Sequence, residues 1–299
     1  MTLISKTALA GMAIVAMGFV VSPAAAQGTW GYVIDGDDIS NELIKNSVDL
    51  MGLIRRGGDV GLVNVVEFEA RGMAADLESG SMDLVPVDHY VYNIGLMVVA
   101  NRMTIDWPDG QTIRVAKGAP TSADSGVLNV RGWDEAWDGT RLSTTDVDEA
   151  TANFRMQMAF MGPHAAIHAA GYADVGQCML TGTDCSIPLE VDDDAKVINV
   201  TIYGHPYTIT LGADARPETI ESDITFPDGS THHVVATYFG YRNGFSLGQE
   251  ALDRFHAGTF WPSRITHEVD GTKTLDIIVT DGWSNPFTIY PDPELLAQQ

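Results

Sequence analysis

The chain has 299 residues, and its 40 Asp and Glu outnumber 17 Lys and Arg to give a formal net charge of −23 at pH 7. That excess excludes nucleic acid as the expected partner, because phosphate binding depends on Lys and Arg neutralising the backbone. With 45% hydrophobic and 19% charged residues, the composition is that of a packed protein and not of a disordered acidic tail.

Residues 1–26 read as a secretory signal. Lys6 is the only charge, the run over 8–21 is almost wholly apolar, and Ala24-Ala25-Ala26 before Gln27 supplies small residues for cleavage. The apolar run falls short of the ~20 residues that a spanning helix needs. The expectation is a periplasmic or secreted protein without a transmembrane segment, its residues 27–299 forming one domain. An acidic surface repels anions, so a neutral or cationic ligand is favoured.

The apolar residues of 38–54 (Ile39, Leu43, Ile44, Val48, Met51, Ile54) recur at helical spacing, with Ser40 as candidate cap and Gly57-Gly58 as stop. Residues 63–72 alternate partially, and 90–106 are rich in β-branched and aromatic residues. Both are predicted as strands. Trp107-Pro108-Asp109-Gly110 and Phe226-Pro227-Asp228-Gly229 read as tight turns, Pro setting φ and Asp-Gly supplying a positive φ. A second helical segment spans 146–170; Gly162-Pro163 breaks it, and Gly171 ends it. Strands follow at 196–211, 219–226, 232–241, 261–269 and 273–280. This order predicts an α+β fold with a mostly antiparallel sheet.

Cys178 and Cys185 are the only cysteines. In an oxidising compartment they most simply form one local disulfide, since no CxxC spacing or second Cys/His pair points to a metal. Two acidic runs, Asp35-Gly36-Asp37-Asp38 and Asp192-Asp193-Asp194, do not continue into a calcium loop and read as solvated turns. The chain lacks a phosphate loop and a dinucleotide fingerprint, so no cofactor is expected.

Some segments are similar to a known domain. Arg155-Met156-Gln157-Met158-Ala159-Phe160-Met161-Gly162-Pro163-His164 and the following Ala165-Ala166-Ile167-His168-Ala169-Ala170 resemble an Arg…Trp-Met-Thr-Pro-His element. That element belongs to the N-terminal domain of certain exported metallo-β-lactamase-fold hydrolases. Ala236-Thr237-Tyr238-Phe239-Gly240-Tyr241-Arg242, Phe260-Trp261-Pro262-Ser263-Arg264-Ile265 and Thr274-Leu275-Asp276-Ile277-Ile278-Val279-Thr280-Asp281 resemble the ending of the same domain. It is a LolA-like half-barrel, in which a curved antiparallel sheet wraps around helices. The resemblance implies a concave, partly apolar cavity for a hydrophobic or aromatic small molecule. Two departures matter: the His-x-His-x-Asp-His zinc motif is absent, so no metal hydrolysis is inherited, and residues 243–259 look like an insertion.

Two functions fit. The first is an exported carrier of such a molecule; the second is a cofactor-independent lyase, isomerase or hydrolase in the same cavity. For the second, His164 at a helix N-terminus is the candidate acid/base, with Arg155 and Tyr241 orienting the substrate or stabilising charge. Each has a structural reading beside it, His164 bonded within the packing and Arg155 paired with a carboxylate. His164 and His168 share a helix face, but Ala165 stands where a zinc protease needs Glu, so no metal pair is expected. Of the adjacent His232 and His233, one must face inward. Candidate ligand contacts are His168, His233, Tyr238, Trp107, Trp133, Phe160 and Trp261.

Overall fold

Alternating β-branched and aromatic stretches, separated by tight turns, leave this chain little choice but hairpins. The computed structural model describes residues 34–53, 63, 65–96, 99–121, 128–137, 141–243 and 259–284. The signal-like segment at 1–26, the predicted helix stop at Gly57-Gly58 and the interior of the 243–259 insertion lie outside the described residues.

The first helix, α1 (Glu42–Met51), follows a short 3-10 turn and buries Ile44, Val48 and Met51. Its cap is Asn41, not Ser40: the Asn41 side chain accepts from the Leu43 and Ile44 amides at 2.9 and 3.1 Å. Ser40 instead donates from its amide and hydroxyl to Asp174.

Six strands then run as a meander: β1 (Val65–Ala74), β2 (Val85–Gly95), β3 (Ala100–Trp107), β4 (Gly110–Pro120), β5 (Leu128–Trp137) and β6 (Leu142–Asp146). The segment predicted as one strand over 90–106 is a hairpin, closed at Gly95 opposite Ala100. Strands β4 to β6 are not singled out by the alternation, because charged residues such as Arg114, Arg131, Asp134 and Glu135 interrupt it. Two helices follow. Helix α2 (Glu149–Ala159) is capped by Asp148, which accepts from the Thr151 amide at 2.7 Å. Helix α3 (Pro163–Val175) starts on the predicted proline but runs through Gly171 to a left-handed Gly176. Gly171 does not stop the helix; its bare face admits α1, with Ile39 and Val48 against it.

The second meander is β7 (Leu189–Asp192), β8 (Val197–Ile202), β9 (His205–Leu211), β10 (Pro217–Thr225) and β11 (Thr231–Phe239). A two-stranded ribbon, β12 (Arg242–Asn243) with β13 (Phe260–Trp261), precedes the final hairpin of β14 (Arg264–Val269) and β15 (Thr272–Ser284). Both predicted Pro-Asp-Gly turns form, between β3 and β4 and between β10 and β11.

One 13-stranded sheet results, in the order β6-β5-β4-β3-β2-β1-β15-β14-β11-β10-β9-β8-β7, with every pair antiparallel. The β14–β15 hairpin joins the two meanders, pairing β15 with β1 and β14 with β11. The sheet is curved and open, and the helices lie within it, as an α+β half-barrel requires. Helix α2 touches β3, β4 and β5 on one side and β10 on the other, while α3 packs on β7, β8 and β10. Gly132 permits the first contact, since a Cβ there would stand 2.9 Å from the Ala152 Cβ and 3.1 Å from its Cα. Cys178 and Cys185 are disulfide-bonded and close the loop after α3. Among the described residues, no helix is long and apolar enough to cross a membrane.

Candidate functional site

Strand alternation turns one residue in two toward the helices, and the inward set beneath α2 is apolar. Phe68, Tyr90, Met103 and Ile105 from β1 to β3 face Ile265, Leu275 and Ile277 from β14 and β15. Met158, Met161 and the Gly162-Pro163 corner cover them. Together they enclose a cleft with about 920 Å³ of empty space when its open mouth is included, of which about 100 Å³ admits groups the size of water. The cleft is slim, and hydrocarbon and aromatic atoms dominate its walls.

Most of its polar groups are already engaged. The Tyr238 hydroxyl donates to the Met161 carbonyl, fixing the corner between α2 and α3 over β11. Tyr90 donates to the Met103 sulfur at 3.1 Å. Burial raises the pKa of both phenols, so they stay neutral. At one end sits a charged cluster. Arg155 grips Glu78 with Nε and Nη2 at 2.8 and 2.9 Å, reaches Asp134 at 2.6 Å, and donates from Nη1 to the Val115 and Trp133 carbonyls at 3.2 and 2.9 Å. Arg114 adds pairs to Asp76 and Glu78 at 3.0 and 3.3 Å. Of the two readings of Arg155, the carboxylate pairing is what the side chain makes.

His267 is different. Its imidazole lines the cleft, burial pushes its pKa down to about 4, and no described residue bonds either ring nitrogen. The signal for it in the sequence is a polar residue at an inward position of Ile265-Thr266-His267-Glu268-Val269.

The predicted site residues distribute as follows. Arg155 and Tyr238 line the cleft. His164 is only 3% exposed, donates from Nε2 to the Phe260 carbonyl at 2.8 Å and packs on Trp261. Burial pushes its pKa down to about 4, partly opposed by that hydrogen bond. His168 is equally buried against Tyr172, and its Nδ1 has no partner. Trp261 is fully buried against Gly282, and Trp133 is buried with its indole N–H on Glu135 at 3.2 Å. Trp107 lies half-buried outside the cleft, donating to Thr112 at 3.0 Å. Tyr241 donates to the Pro217 carbonyl at 2.9 Å. None of these six lines the cleft. Phe160 faces a second cleft on the other side of α2, shared with Tyr203, His205 and Tyr207.

The adjacent histidines split as alternation demands. His233 is exposed beside Asp223 and Glu221, at 3.0 and 3.6 Å, while His232 leans on the Phe226 ring. His232 also joins a Ser-His-Asp chain, with Ser230 Oγ 2.8 Å from Nε2 and Asp270 2.7 Å from Nδ1. This is not the geometry of an activated nucleophile. The Ser230 hydroxyl also donates to Asp228 at 2.5 Å, and an ionised carboxylate only accepts, so it takes the proton that a nucleophile would give to His232. The chain staples two hairpin turns together. Among the described residues, no group of three or more His, Cys, Asp or Glu is placed to hold a metal ion.

Set against known proteins, the chain matches no family model, no curated protein and no solved structure.

Proposed function

We propose that this protein is an exported carrier that holds a slim, neutral apolar molecule, an alkyl chain or a small aromatic, in the cleft beneath α2. The observation that carries this reading is the cleft's chemistry. Apolar walls left to water cost about 25 cal/mol for each Å², and a bound apolar molecule removes that cost. The LolA-like resemblance of the sequence implies a cavity of this kind. The formal charge of −23 disfavours an anionic ligand. Export is supported by the pattern of residues 1–26 and by the disulfide, which persists in oxidising compartments.

The enzymatic reading centred on His164 draws no comparable support. Its ring is sealed in the packing, its Nε2 proton is committed to a carbonyl, and it lines neither cleft. Native mass spectrometry of the protein purified from its own host tests the proposal, followed by denaturing extraction. A single apolar species released from a one-to-one complex is expected. Protein that arrives empty, and then fails to bind the neutral aromatic probe N-phenylnaphthylamine, refutes it.

A further inference from the structure

Among the polar side chains that line the cleft, one imidazole is bonded by no described residue. His267 sits on β14 between the inward-facing Ile265 and Val269, opposite Ala236 of β11 and Leu275 of β15. Every one of these neighbours is apolar. Its imidazole reaches the cleft, and neither nitrogen has a hydrogen-bond partner among the described residues. The two fully buried histidines differ: His164 is bonded to a carbonyl, and His168 lines neither cleft. The ring is half-buried, so water reaches it while the cleft is empty; a ligand that fills the cleft displaces that water and leaves the imidazole without a partner unless it supplies one. A ligand that bonds the ring avoids that loss.

The ring's state narrows the chemistry. Burial holds the imidazole neutral, with one N–H donor and one acceptor nitrogen. It therefore offers no charge to an anion. The cluster at the cleft's end offers none either, since Asp76, Glu78 and Asp134 are three carboxylates against the two guanidiniums of Arg114 and Arg155. A carboxylate drawn into this space is desolvated without a free cation to receive it. A hydroxyl, ester or amide is bonded by the ring at no such cost.

Resting on the carrier reading above, we propose that His267 is the polar anchor of the cleft. It selects apolar ligands that carry one neutral hydrogen-bonding group over plain hydrocarbons and over carboxylates.

The test is competition against N-phenylnaphthylamine bound to the full protein, using octanol, octane and octanoate. The decisive quantity is the ratio of octanol to octane affinity, because octane corrects for any change in packing. The proposal expects this ratio to fall roughly tenfold in His267→Leu, the size of one net hydrogen bond, and to survive in His267→Gln, which keeps a donor and an acceptor. A ratio unchanged in His267→Leu overturns the anchor. Should that variant fail to fold, His267→Phe supplies the same comparison. Octanoate that binds the wild-type protein as well as octanol does overturns the preference for a neutral group. A wild-type protein that never binds the probe refutes the carrier reading itself, a result distinct from an unchanged ratio.

Discussion

Replacing Arg155 with Met keeps most of the stem's volume and removes every polar contact of the head group, so the loss it causes follows from the bonds it makes. The guanidinium is buried, with Glu78 bound through two nitrogens and the Val115 and Trp133 carbonyls bound through a third. Breaking one partner out of a buried ion pair costs about 3–5 kcal/mol, because the remaining groups stay desolvated. Two features place this case at the lower end. Glu78 retains Arg114 at 3.3 Å, and the Asp134 side chain is 52% exposed, so that pair is screened by water. The expected loss is about 3 kcal/mol, or about 5 °C in melting temperature at an unfolding entropy of about 2.1 cal/mol/K per residue over about 270 residues. Urea titration of Arg155→Met, followed by the fluorescence of the buried Trp133, measures it. Arg155→Lys should recover only part of the loss, since an ammonium cannot match the bidentate grip on Glu78. A loss below about 1 kcal/mol in Arg155→Met contradicts the view that this cluster ties α2 to β4, β5 and the turn carrying Glu78.

The histidines set the acid limit of stability. His164, His168 and His267 are each pushed from 6.5 down to about 4, chiefly by burial. The unfolded chain therefore binds more protons between those values, and stability is intact above pH ~7 and declines as the pH falls through that window; a urea midpoint that is flat between pH 7 and 4.5 contradicts this. His168→Leu removes an imidazole whose Nδ1 has no partner, so at neutral pH it should hold or raise stability by about 1 kcal/mol and lessen the acid decline; a clear loss at pH 7 counts against it. Gly132→Ala places a methyl against Ala152 and should cost about 1–3 kcal/mol by lifting α2 from β5, measured by thermal melting. Reducing the Cys178–Cys185 bond, or replacing both cysteines with Ser, should cost about 2–3 kcal/mol for a loop this short; an unchanged denaturation midpoint contradicts that value.

The parts of the fold legible in the sequence are those set by neighbours. Helix α1 announces itself by spacing, and the Pro-Asp-Gly turns by their backbone chemistry. Strands β4 to β6 do not, because the charges that interrupt their alternation are satisfied from far along the chain: Arg114 lies 38 residues from Asp76, Asp134 21 from Arg155 and Glu135 33 from Arg102. The Ser40 cap goes astray for a similar reason, its hydroxyl being claimed by Asp174 on α3. The same division holds at the candidate site. Tyr238 and Arg155 are read from local motifs and do reach the cleft, while His164 and Trp261 face each other in the core through a contact that no spacing reveals. His267 is visible as a polar residue in an inward position, but its significance depends on a cleft that α2 and β15 complete.

If the cleft beneath α2 is the binding site, filling it with a side chain displaces the ligand. N-phenylnaphthylamine is titrated into the wild-type protein, into Ala75→Trp, which places an indole in this cleft, and into Val130→Trp, which fills the second cleft across α2. One site is expected in the wild-type protein, with affinity reduced at least ~tenfold in Ala75→Trp and unchanged in Val130→Trp. Binding that survives Ala75→Trp, or is lost in Val130→Trp instead, contradicts binding in the cleft beneath α2.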